Sequence, residues 1–242
     1  MTELTISTVR GLPELRAGDD LARLIVERAE LEDGDVLVAA QKAISKLEGR
    51  VVRLDEIEPS AEALALASDG DPRKIEIVLR EAKDIVRARG SLVIAETRHG
   101  FVCASAGVDA SNTPAPGTLV LLPLDPDASA ARLRNALGDL TGRDVGVVVS
   151  DSFGRPWRQG TTDVAIGAAG LEVLRDFKGE RDPTGYELRS TVIALADEIA
   201  GAAELVMGKL DRTPVAIVRG LDAAGEGTAR DLVMPAERNL FP

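Results

Sequence analysis

Two aspartates stand where a carboxylate could bind a metal ion. Asp109 lies in the segment AGVDASN after a predicted strand, and Asp151 follows the apolar run DVGVVV at 144–149. The end of a strand holds a side chain in a rigid crevice, which suits metal coordination. With the hydroxyl of Ser152, the two carboxylates could hold Mg²⁺ or Mn²⁺, which prefer oxygen ligands and often share them with substrate phosphates. Aspartates after strands also cap turns and helices, so the spacing alone leaves both interpretations open.

Basic side chains near these acids could contact anions. Lys46 lies just beyond a predicted buried strand, where its ammonium group could meet a nucleotide phosphate or simply face solvent. Arg155 and Arg158 flank the only tryptophan, and a guanidinium pair can bind a phosphate or a carboxylate through parallel hydrogen bonds. Ion pairs with neighbouring acids are the alternative for each arginine. The segment 207–221 carries two further candidate cations, Lys209 and Arg219.

Several familiar catalytic signatures are missing from the chain. It has one histidine, His99 in the polar turn ETRHG, and one cysteine, Cys103. A cluster of histidine ligands, an intrachain disulfide and a cysteine zinc site are therefore excluded. We interpret His99 as a surface residue and Cys103 as a buried part of a strand. The patterns GxSxG, GxGxxG and GxxxxGK[ST] are absent, so covalent hydrolysis and dinucleotide redox chemistry lack their parts. What remains fits metal-assisted phosphoryl transfer from a nucleotide.

Composition and charge narrow the class of protein. The chain has 242 residues, of which 45% are apolar and only 2% aromatic, so the core must consist of Val, Leu, Ile and Ala. The net charge of −11 repels phosphate backbones, which argues against nucleic-acid binding. No run approaches the ~20 apolar residues of a membrane span, and the N-terminus lacks a signal pattern. We therefore expect a cytoplasmic protein that binds neither nucleic acid nor membrane.

The pattern of elements predicts a mixed α+β fold. Strands do not alternate regularly with helices, which disfavours a doubly wound sheet. We expect mixed and antiparallel sheets in two subdomains, with the segment 60–90 as a helical excursion. Apolar residues at helical spacing predict a helix over 72–89. The other predicted helices span 20–31 (capped by Asp19 or Asp20), 59–69, 128–142 and, as the longest, 187–209. Strands are predicted at 3–8, 118–127 and 213–221, two more within 91–112, and two within 33–52 separated by a short polar segment.

Eight segments match one known family in order, over nearly the whole chain. They are GLPE near the start, DGDVLVAAQKAISKLEGR, AGVDASN, LLPLDPDASA, VVVSDSFGRPWRQG, TTDVAIGAAG, DEIAGAAELVMGK and PVAIVRG. The chain thereby resembles the coenzyme F(420):L-glutamate ligases, which add glutamate to the deazaflavin redox coenzyme F(420). Each segment alone is weak evidence, but the series is specific.

The resemblance implies an activity and its requirements. GTP would phosphorylate the terminal carboxylate of the F(420) precursor, and the amino group of L-glutamate would attack the acyl phosphate, releasing GDP and phosphate. Later glutamates would join through γ-linkages. The family implies a homodimer of α+β subunits, each built of two intertwined subdomains, with two divalent ions, either Mg²⁺ or Mn²⁺, and K⁺. Some relatives continue into a nitroreductase-like domain; we expect residues 1–242 to form a single ligase domain without it.

The resemblance also assigns roles to particular residues. Asp109 and Asp151 would bind the first divalent ion, and Ser152 would help to hold the second. The guanine nucleotide would contact a set of residues distributed along the chain: Arg10, Gly11, Leu12, Pro13, Gln41, Lys42, Lys46, Asn112, Met207, Gly208 and Lys209. Beyond the resemblance, we expect Arg155 and Arg158 to hold phosphates or the carboxylates of glutamate.

Two departures from the family pattern bear on these assignments. Many relatives have Thr where this chain has Ser152, and the hydroxyl ligand is kept. Gln41 and Lys42 replace small hydroxyl residues of some relatives, which weakens the expectation of nucleotide contacts there. Two other functions stay open. One is a nucleotide-dependent ligase that joins an amino acid to another carboxylate metabolite, and the other is a non-catalytic module that binds GTP or GDP.

Overall fold

The computed structural model describes residues 3–240, which form twelve strands and six α-helices. In chain order these are β1 (Thr5–Thr8), α1 (Leu21–Val26), β2 (Val36–Ala40), α2 (Gln41–Leu47), β3 (Val51–Arg53), α3 (Ala61–Ala67), α4 (Pro72–Glu81), β4 (Ala82–Arg89), β5 (Leu92–Thr97), β6 (Val102–Ala104), β7 (Thr118–Val120), α5 (Pro126–Thr141), β8 (Gly146–Arg155), β9 (Arg158–Ala169), β10 (Arg175–Asp176), β11 (Val192–Ile193), α6 (Leu195–Met207) and β12 (Val215–Arg219). The predicted α+β class is confirmed. Two subdomains and a homodimer stay predictions.

A five-stranded sheet lies at the centre of the fold, with the strand order β1-β12-β2-β8-β9. Only β2 and β8 run parallel, from the pair Val36↔Gly146 to the pair Ala40↔Ser150. Their sequences, VLVAA and GVVVS, are almost entirely apolar because both faces of these central strands are buried. The other neighbours in the sheet are antiparallel.

Helices cover both faces of this sheet. Leu37 and Val147 face a cluster formed with α1, α2 and α5, whereas Val36 and Val148 face a cluster formed with α6. Successive residues of a strand point to opposite faces, so each strand contributes to both clusters. Asp20 caps α1, and α5 ends at Gly142, whose φ of 69° is left-handed, both as predicted.

A third hydrophobic cluster packs α3 and α4 against β4 and β5. Ile75, Val78 and Val93 lie at its centre, and Leu119 of β7 joins it from the short β3–β7 sheet. This cluster accounts for the excursion that the sequence predicts over 60–90. Among the described residues, no helix combines the length and the apolar character needed to cross a bilayer.

The helix predicted over 72–89 is wrong beyond Glu81. There α4 ends, and β4 begins at Ala82. β4 pairs antiparallel with β5, from Ala82↔Thr97 to Arg89↔Leu92, with two register shifts. Sheet pairing depends on neighbours distant in sequence, so it overrides the helical spacing of the local pattern.

Two other helix boundaries differ from the prediction, and one helix was not predicted. The helix expected over 20–31 ends at Val26. The helix expected over 187–209 begins only at Leu195 and has 13 residues, so α5 with 16 is longer. Upstream of Leu195 the chain is not helical. Backbone groups there form hydrogen bonds between segments of the loop, for example from the Leu188 N–H to the Glu180 carbonyl. Residues 41–47, expected to be a polar segment between strands, form α2.

Candidate functional site

The candidate site lies where β2 ends and β8 continues. β2 stops at Ala40, opposite Ser150, and α2 begins at the next residue. Asp151 is therefore the first residue of β8 beyond the pairing with β2. Lys42 in the first turn of α2 lies close enough to Asp151 for its charge to lower the pKa of that carboxyl. The chain thus brings an acid of β8 and a base of α2 together.

Asp109 joins this pair through Lys42. The Lys42 ammonium nitrogen lies 2.6 Å from Asp109 Oδ2 and donates to the Ser111 hydroxyl at 2.7 Å. The Ser111 N–H also donates to Asp109 Oδ1 at 2.7 Å. Burial raises the pKa of Asp109, but the hydrogen bonds from Lys42 and Ser111 outweigh it and keep this pKa below its usual value. Asp109 is therefore an anion held in place by a cation.

A left-handed turn positions Asp109. Ser105, Ala106 and Gly107 have φ values of 53°, 50° and 74°. Left-handed backbone costs a residue with a Cβ roughly 1–2 kcal/mol, so the surrounding fold must impose this turn. Asp109 then pairs with Val120 through two backbone hydrogen bonds of 3.0 and 2.9 Å. Asp109 thus follows β6, as predicted, with this turn between them.

Asp151 was also expected to follow a strand, and it lies inside one. β8 runs on to Arg155 because β9 pairs with it beyond the end of β2, with Asp151 opposite Val164. Burial is the main cause that raises the pKa of Asp151 to about 7, and the negative charges of Asp163 and Asp109 raise it further. The hydrogen bond from the Ser152 N–H and the positive charge of Lys42 act in the opposite direction and lower this pKa. Asp151 therefore lies near enough to Asp109 for the two negative charges to repel each other.

The Ser152 hydroxyl points to the other face of β8. It donates to Asp163 Oδ1 at 2.7 Å, and the Ser150 hydroxyl donates to Asp163 Oδ2 at 2.9 Å. Asp163 stands opposite Ser152 in β9 and is only 6% exposed. The Asp163 N–H donates in turn to Glu204 of α6 at 3.2 Å. Sequence reasoning missed Asp163, although an acid within the apolar run TTDVAIGAAG was a signal for it.

The donor set fits an oxygen-bound cation that shares its ligands with a substrate. Asp109 and Asp151 on one face of β8, and Ser152 on the other, supply only oxygen atoms, which suits Mg²⁺ or Mn²⁺. Within residues 3–240, no three acid, histidine or cysteine side chains form a group able to hold a metal ion by themselves. A cation here would need further ligands from phosphate oxygens or water, which is how Mg²⁺ commonly binds beside nucleotides.

Three other residues expected to bind the nucleotide, Lys46, Asn112 and Gln41, lie on the elements that carry Lys42 and Asp109. Lys46 pairs with Glu14, which joins α2 to the loop at 11–14. The Asn112 side-chain amide donates to the Lys209 carbonyl at 3.3 Å, which joins the Asp109 loop to the segment after α6. The buried Gln41 amide is held within the fold, because it donates to the Ser45 hydroxyl and the Leu121 carbonyl. Nucleotide contacts at these residues stay predictions.

Arg155 and Arg158 lie apart from the two carboxylates. They face each other across the tip of the β8–β9 hairpin, and both are exposed. Arg155 lies four positions along β8 from Asp151, which corresponds to about 13 Å. The Arg155 guanidinium donates to the Gln159 carbonyl at 3.3 Å. The structure therefore does not bring these arginines next to the proposed cation.

Arg219 and His99 differ from the predictions made from the sequence, whereas Cys103 agrees with its prediction. Arg219 forms two hydrogen bonds of 2.7 Å with Asp35, which is 1% exposed, at the far end of the sheet, so Arg219 is a structural residue. His99 is half-buried rather than on the surface: its Nε2 lies 2.9 Å from the Pro123 carbonyl, and its ring stacks on Phe101. Cys103 is buried, as predicted.

Comparison with known proteins identifies the family. Residues 11–220 match the family model described as F420-0:Gamma-glutamyl ligase. This chain belongs to that family. A protein of Methanopyrus kandleri named Coenzyme F420:L-glutamate ligase is 51% identical over 236 residues, covering 94% of this chain and 93% of its own. Proteins of the same name from Methanothermobacter thermautotrophicus and Methanocaldococcus jannaschii are 43% and 45% identical, covering 98% and 95% of this chain and 98% and 94% of their own. The family resemblance drawn from the eight segments is thereby confirmed.

Proposed function

We propose that this chain is a GTP-dependent ligase that adds L-glutamate to the coenzyme F(420) precursor. Membership of the family and the names of three relatives support the substrate class. The observation that carries the chemistry is that Lys42 pairs with Asp109 and that the charges of both act on Asp151. Two neighbouring carboxylates that repel each other are suited to an oxygen-bound cation, and such cations commonly bridge nucleotide phosphates.

The proposed reaction has two steps. First, the γ-phosphoryl group of GTP passes to the terminal carboxylate of the precursor, giving an acyl phosphate and GDP. Then the amino group of L-glutamate attacks the acyl carbon, an amide bond forms, and inorganic phosphate leaves. Glutamates added later join through γ-linkages. A divalent ion, Mg²⁺ or Mn²⁺, would supply neutralisation of the charge that builds up on the transferred phosphoryl group.

The side chains of the site would divide this work. Asp109 and Asp151 hold the first divalent ion, and Ser152 contributes an oxygen to the second. Lys42 now binds Asp109 at 2.6 Å, and Lys46 binds Glu14. Each lysine is a point charge that can turn towards a phosphate, and positioning of this kind carries most of the catalysis in phosphoryl transfer. The guanine nucleotide lies along the segments 10–13, 41–42 and 207–209 together with Asn112.

The hairpin arginines would act at a distance from the reacting atoms. Arg155 and Arg158 are exposed cations in a chain with a net charge of −11, and they lie some residues along the strand from Asp151. We propose that they attract the carboxylates or phosphates of the anionic substrates. Potassium, a homodimeric assembly, a single ligase domain and a cytoplasmic location complete the proposal, all drawn from the family resemblance or from composition.

A product assay tests this function. The purified protein is incubated with GTP, Mn²⁺ or Mg²⁺, L-glutamate and the F(420) precursor, and the product is followed by mass spectrometry. We expect one or more added glutamyl residues, with no product when GTP is omitted or the metal is chelated. Asp151→Asn should abolish turnover while circular dichroism and thermal unfolding stay close to wild type.

The same assay separates the two other functions. GTP-dependent phosphate release with another carboxylate, and none with the F(420) precursor, would indicate a ligase for a different metabolite. Tight GDP binding without turnover on any acid would indicate a binding module. Either result refutes the proposed substrate. Full activity of Asp151→Asn would remove Asp151 from the metal site.

A further inference from the structure

Asp163 is a buried acid for which the family resemblance assigns no role. It is 6% exposed, and both of its carboxylate oxygens accept a serine hydroxyl, from Ser152 at 2.7 Å and from Ser150 at 2.9 Å. Burying a carboxylate is costly unless it is hydrogen-bonded. Two hydroxyl donors meet that requirement, so the arrangement is stable without any further group.

The hydrogen bond to Asp163 decides how the Ser152 hydroxyl can interact. A hydroxyl has one hydrogen and two acceptor lone pairs. The hydrogen of Ser152 is committed to Asp163 Oδ1, so the lone pairs are turned away from that carboxylate. A charged acceptor also draws the proton and makes the hydroxyl oxygen a stronger ligand, as carboxylates do behind metal-binding histidines.

We propose that Asp163 is a positioning residue that fixes the Ser152 hydroxyl as an oxygen ligand for a divalent cation. The inference rests on the proposed function, in which Ser152 helps to hold the second ion. Asp163 acts through Ser152 rather than as a ligand, because it is almost inaccessible and each of its oxygens already accepts a serine hydroxyl.

The surroundings of Asp163 keep it rigid enough for this role. Its own N–H donates to Glu204 of α6 at 3.2 Å, and it stands opposite Ser152 in the β8–β9 ladder. Gly201 of α6 packs closely here: a Cβ at that position would lie 3.4 Å from Thr162 and 3.7 Å from the Asp163 carbonyl. A ligand that must hold its geometry needs such support.

Binding of Mn²⁺ in the presence of GDP tests the inference, measured by electron paramagnetic resonance and by calorimetry. Asp163→Asn should weaken Mn²⁺ binding by about 10- to 100-fold, the usual effect of losing a group behind a metal ligand. GDP binding without metal should stay unchanged. In the product assay, the Mn²⁺ concentration for half-maximal rate should rise by a similar factor, while kcat at saturating Mn²⁺ falls much less.

Two comparisons separate positioning from a general structural effect. Asp197→Asn changes another carboxylate that contacts β9, and it should leave Mn²⁺ binding within about two-fold of wild type, far less than the loss that marks a supporting group. Ser152→Ala should lose as much affinity as Asp163→Asn, and the double variant should lose no more than either, because the two residues act as a unit. Additive losses would overturn the inference, as would wild-type Mn²⁺ affinity in Asp163→Asn.

The wild-type protein supplies a test that does not depend on the stability of any variant. In a crystal structure with GDP and Mn²⁺, Ser152 Oγ should lie about 2.1 Å from a cation while still donating to Asp163. A Ser152 that contacts no cation, or leaves Asp163 to reach one, would refute the positioning role even if the product assay succeeds. Failure of the product assay together with absence of Mn²⁺ binding to the wild type would instead refute the proposed function, and the inference with it.

Discussion

The Asp197 carboxylate accepts a hydrogen bond from the backbone N–H of Ala165, with 2.9 Å between oxygen and nitrogen. Ala165 lies in β9, which is an edge of the central sheet. Glu204 binds the N–H of Asp163 in the same way, and Asp127 of α5 binds the N–H of Ala168 at 2.8 Å. Three carboxylates thus accept hydrogen bonds from backbone N–H groups of β9. Without these bonds, an edge strand could offer the same groups to another chain.

Replacement of Asp197 by alanine should destabilise the fold. Asp197→Ala leaves the Ala165 N–H without its acceptor, and an unsatisfied, partly buried N–H costs about 1–3 kcal/mol. Urea unfolding measures the change. Glu198→Ala is the matched control, since Glu198 is the exposed neighbour on the same helix, and it should change stability by less than about 0.5 kcal/mol. Equal effects of the two variants would mean that the hydrogen bond contributes nothing.

Replacement of Asp197 by asparagine should change the dependence of stability on pH. Burial raises the pKa of Asp197, against the hydrogen bond from Ala165, so the folded state binds the proton more tightly than the unfolded state. The wild type therefore loses stability as pH rises from the pKa of Asp197 in the unfolded state through its higher pKa in the folded state. Asp197→Asn lacks this loss and keeps an oxygen acceptor. Relative to wild type, it should therefore become more stable between pH 3 and pH 7. A relative decline over that range would contradict the raised pKa.

The left-handed turn before Asp109 predicts a sharp difference between two glycines. Gly107 and Gly117 have the same φ of 74°, but a Cβ on Gly107 would lie 2.6 Å from Leu122, whereas one on Gly117 would meet nothing within 4 Å. Gly117→Ala should cost only the strain of the backbone, roughly 1–2 kcal/mol. Gly107→Ala should cost about 1–3 kcal/mol more, because the added methyl group would overpack the core against Leu122.

Activity gives a second measure of the same pair of variants. Gly107 lies two residues before Asp109, so Gly107→Ala should also reduce glutamate addition, while Gly117→Ala should not. Thermal unfolding and the product assay on both variants measure these effects. A similar loss of stability in the two variants would show that the turn has room for a side chain.

The single thiol should be inert in the folded protein. Cys103 is 7% exposed, and burial together with the negative charge of Asp151 raises its pKa to about 12. Only the thiolate reacts readily with disulfide reagents. At pH 8, Ellman's reagent should therefore label almost no protein under native conditions and one thiol per chain in 6 M guanidinium chloride. Rapid labelling of the native protein would contradict the buried position.

The elements that the sequence predicts well are those whose pattern is local. Continuous apolar runs predicted β2 and the first half of β8, and Gly142 marked the end of α5. β4 was missed because its partner β5, and not its own residues, makes it a strand. The continuation of β8 past Asp151 was missed for the same reason, since β9 supplies the pairing.

The candidate site shows the same division between local and long-range information. Residue type and family resemblance picked out Asp109 and Asp151, which the fold brings together across 42 residues of sequence (151 − 109 = 42). The role of Arg219 was misjudged because its partner Asp35 lies 184 residues away. Asp163 escaped notice because its importance depends on standing opposite Ser152, a cross-strand register that a single sequence does not contain.

The two aspartates are anchored in different parts of the molecule. Asp109 follows Ala106 and Val108, which belong to the cluster around α3 and α4, whereas Asp151 follows Val149 in the cluster beneath α5. A ligand bound by both carboxylates would link these two clusters and would stabilise their packing increasingly as its concentration rises. Conversely, local unfolding of the cluster around α3 and α4 would separate the two acids while the central sheet stays folded. On warming, the ability to bind such a ligand would therefore be lost before the sheet unfolds.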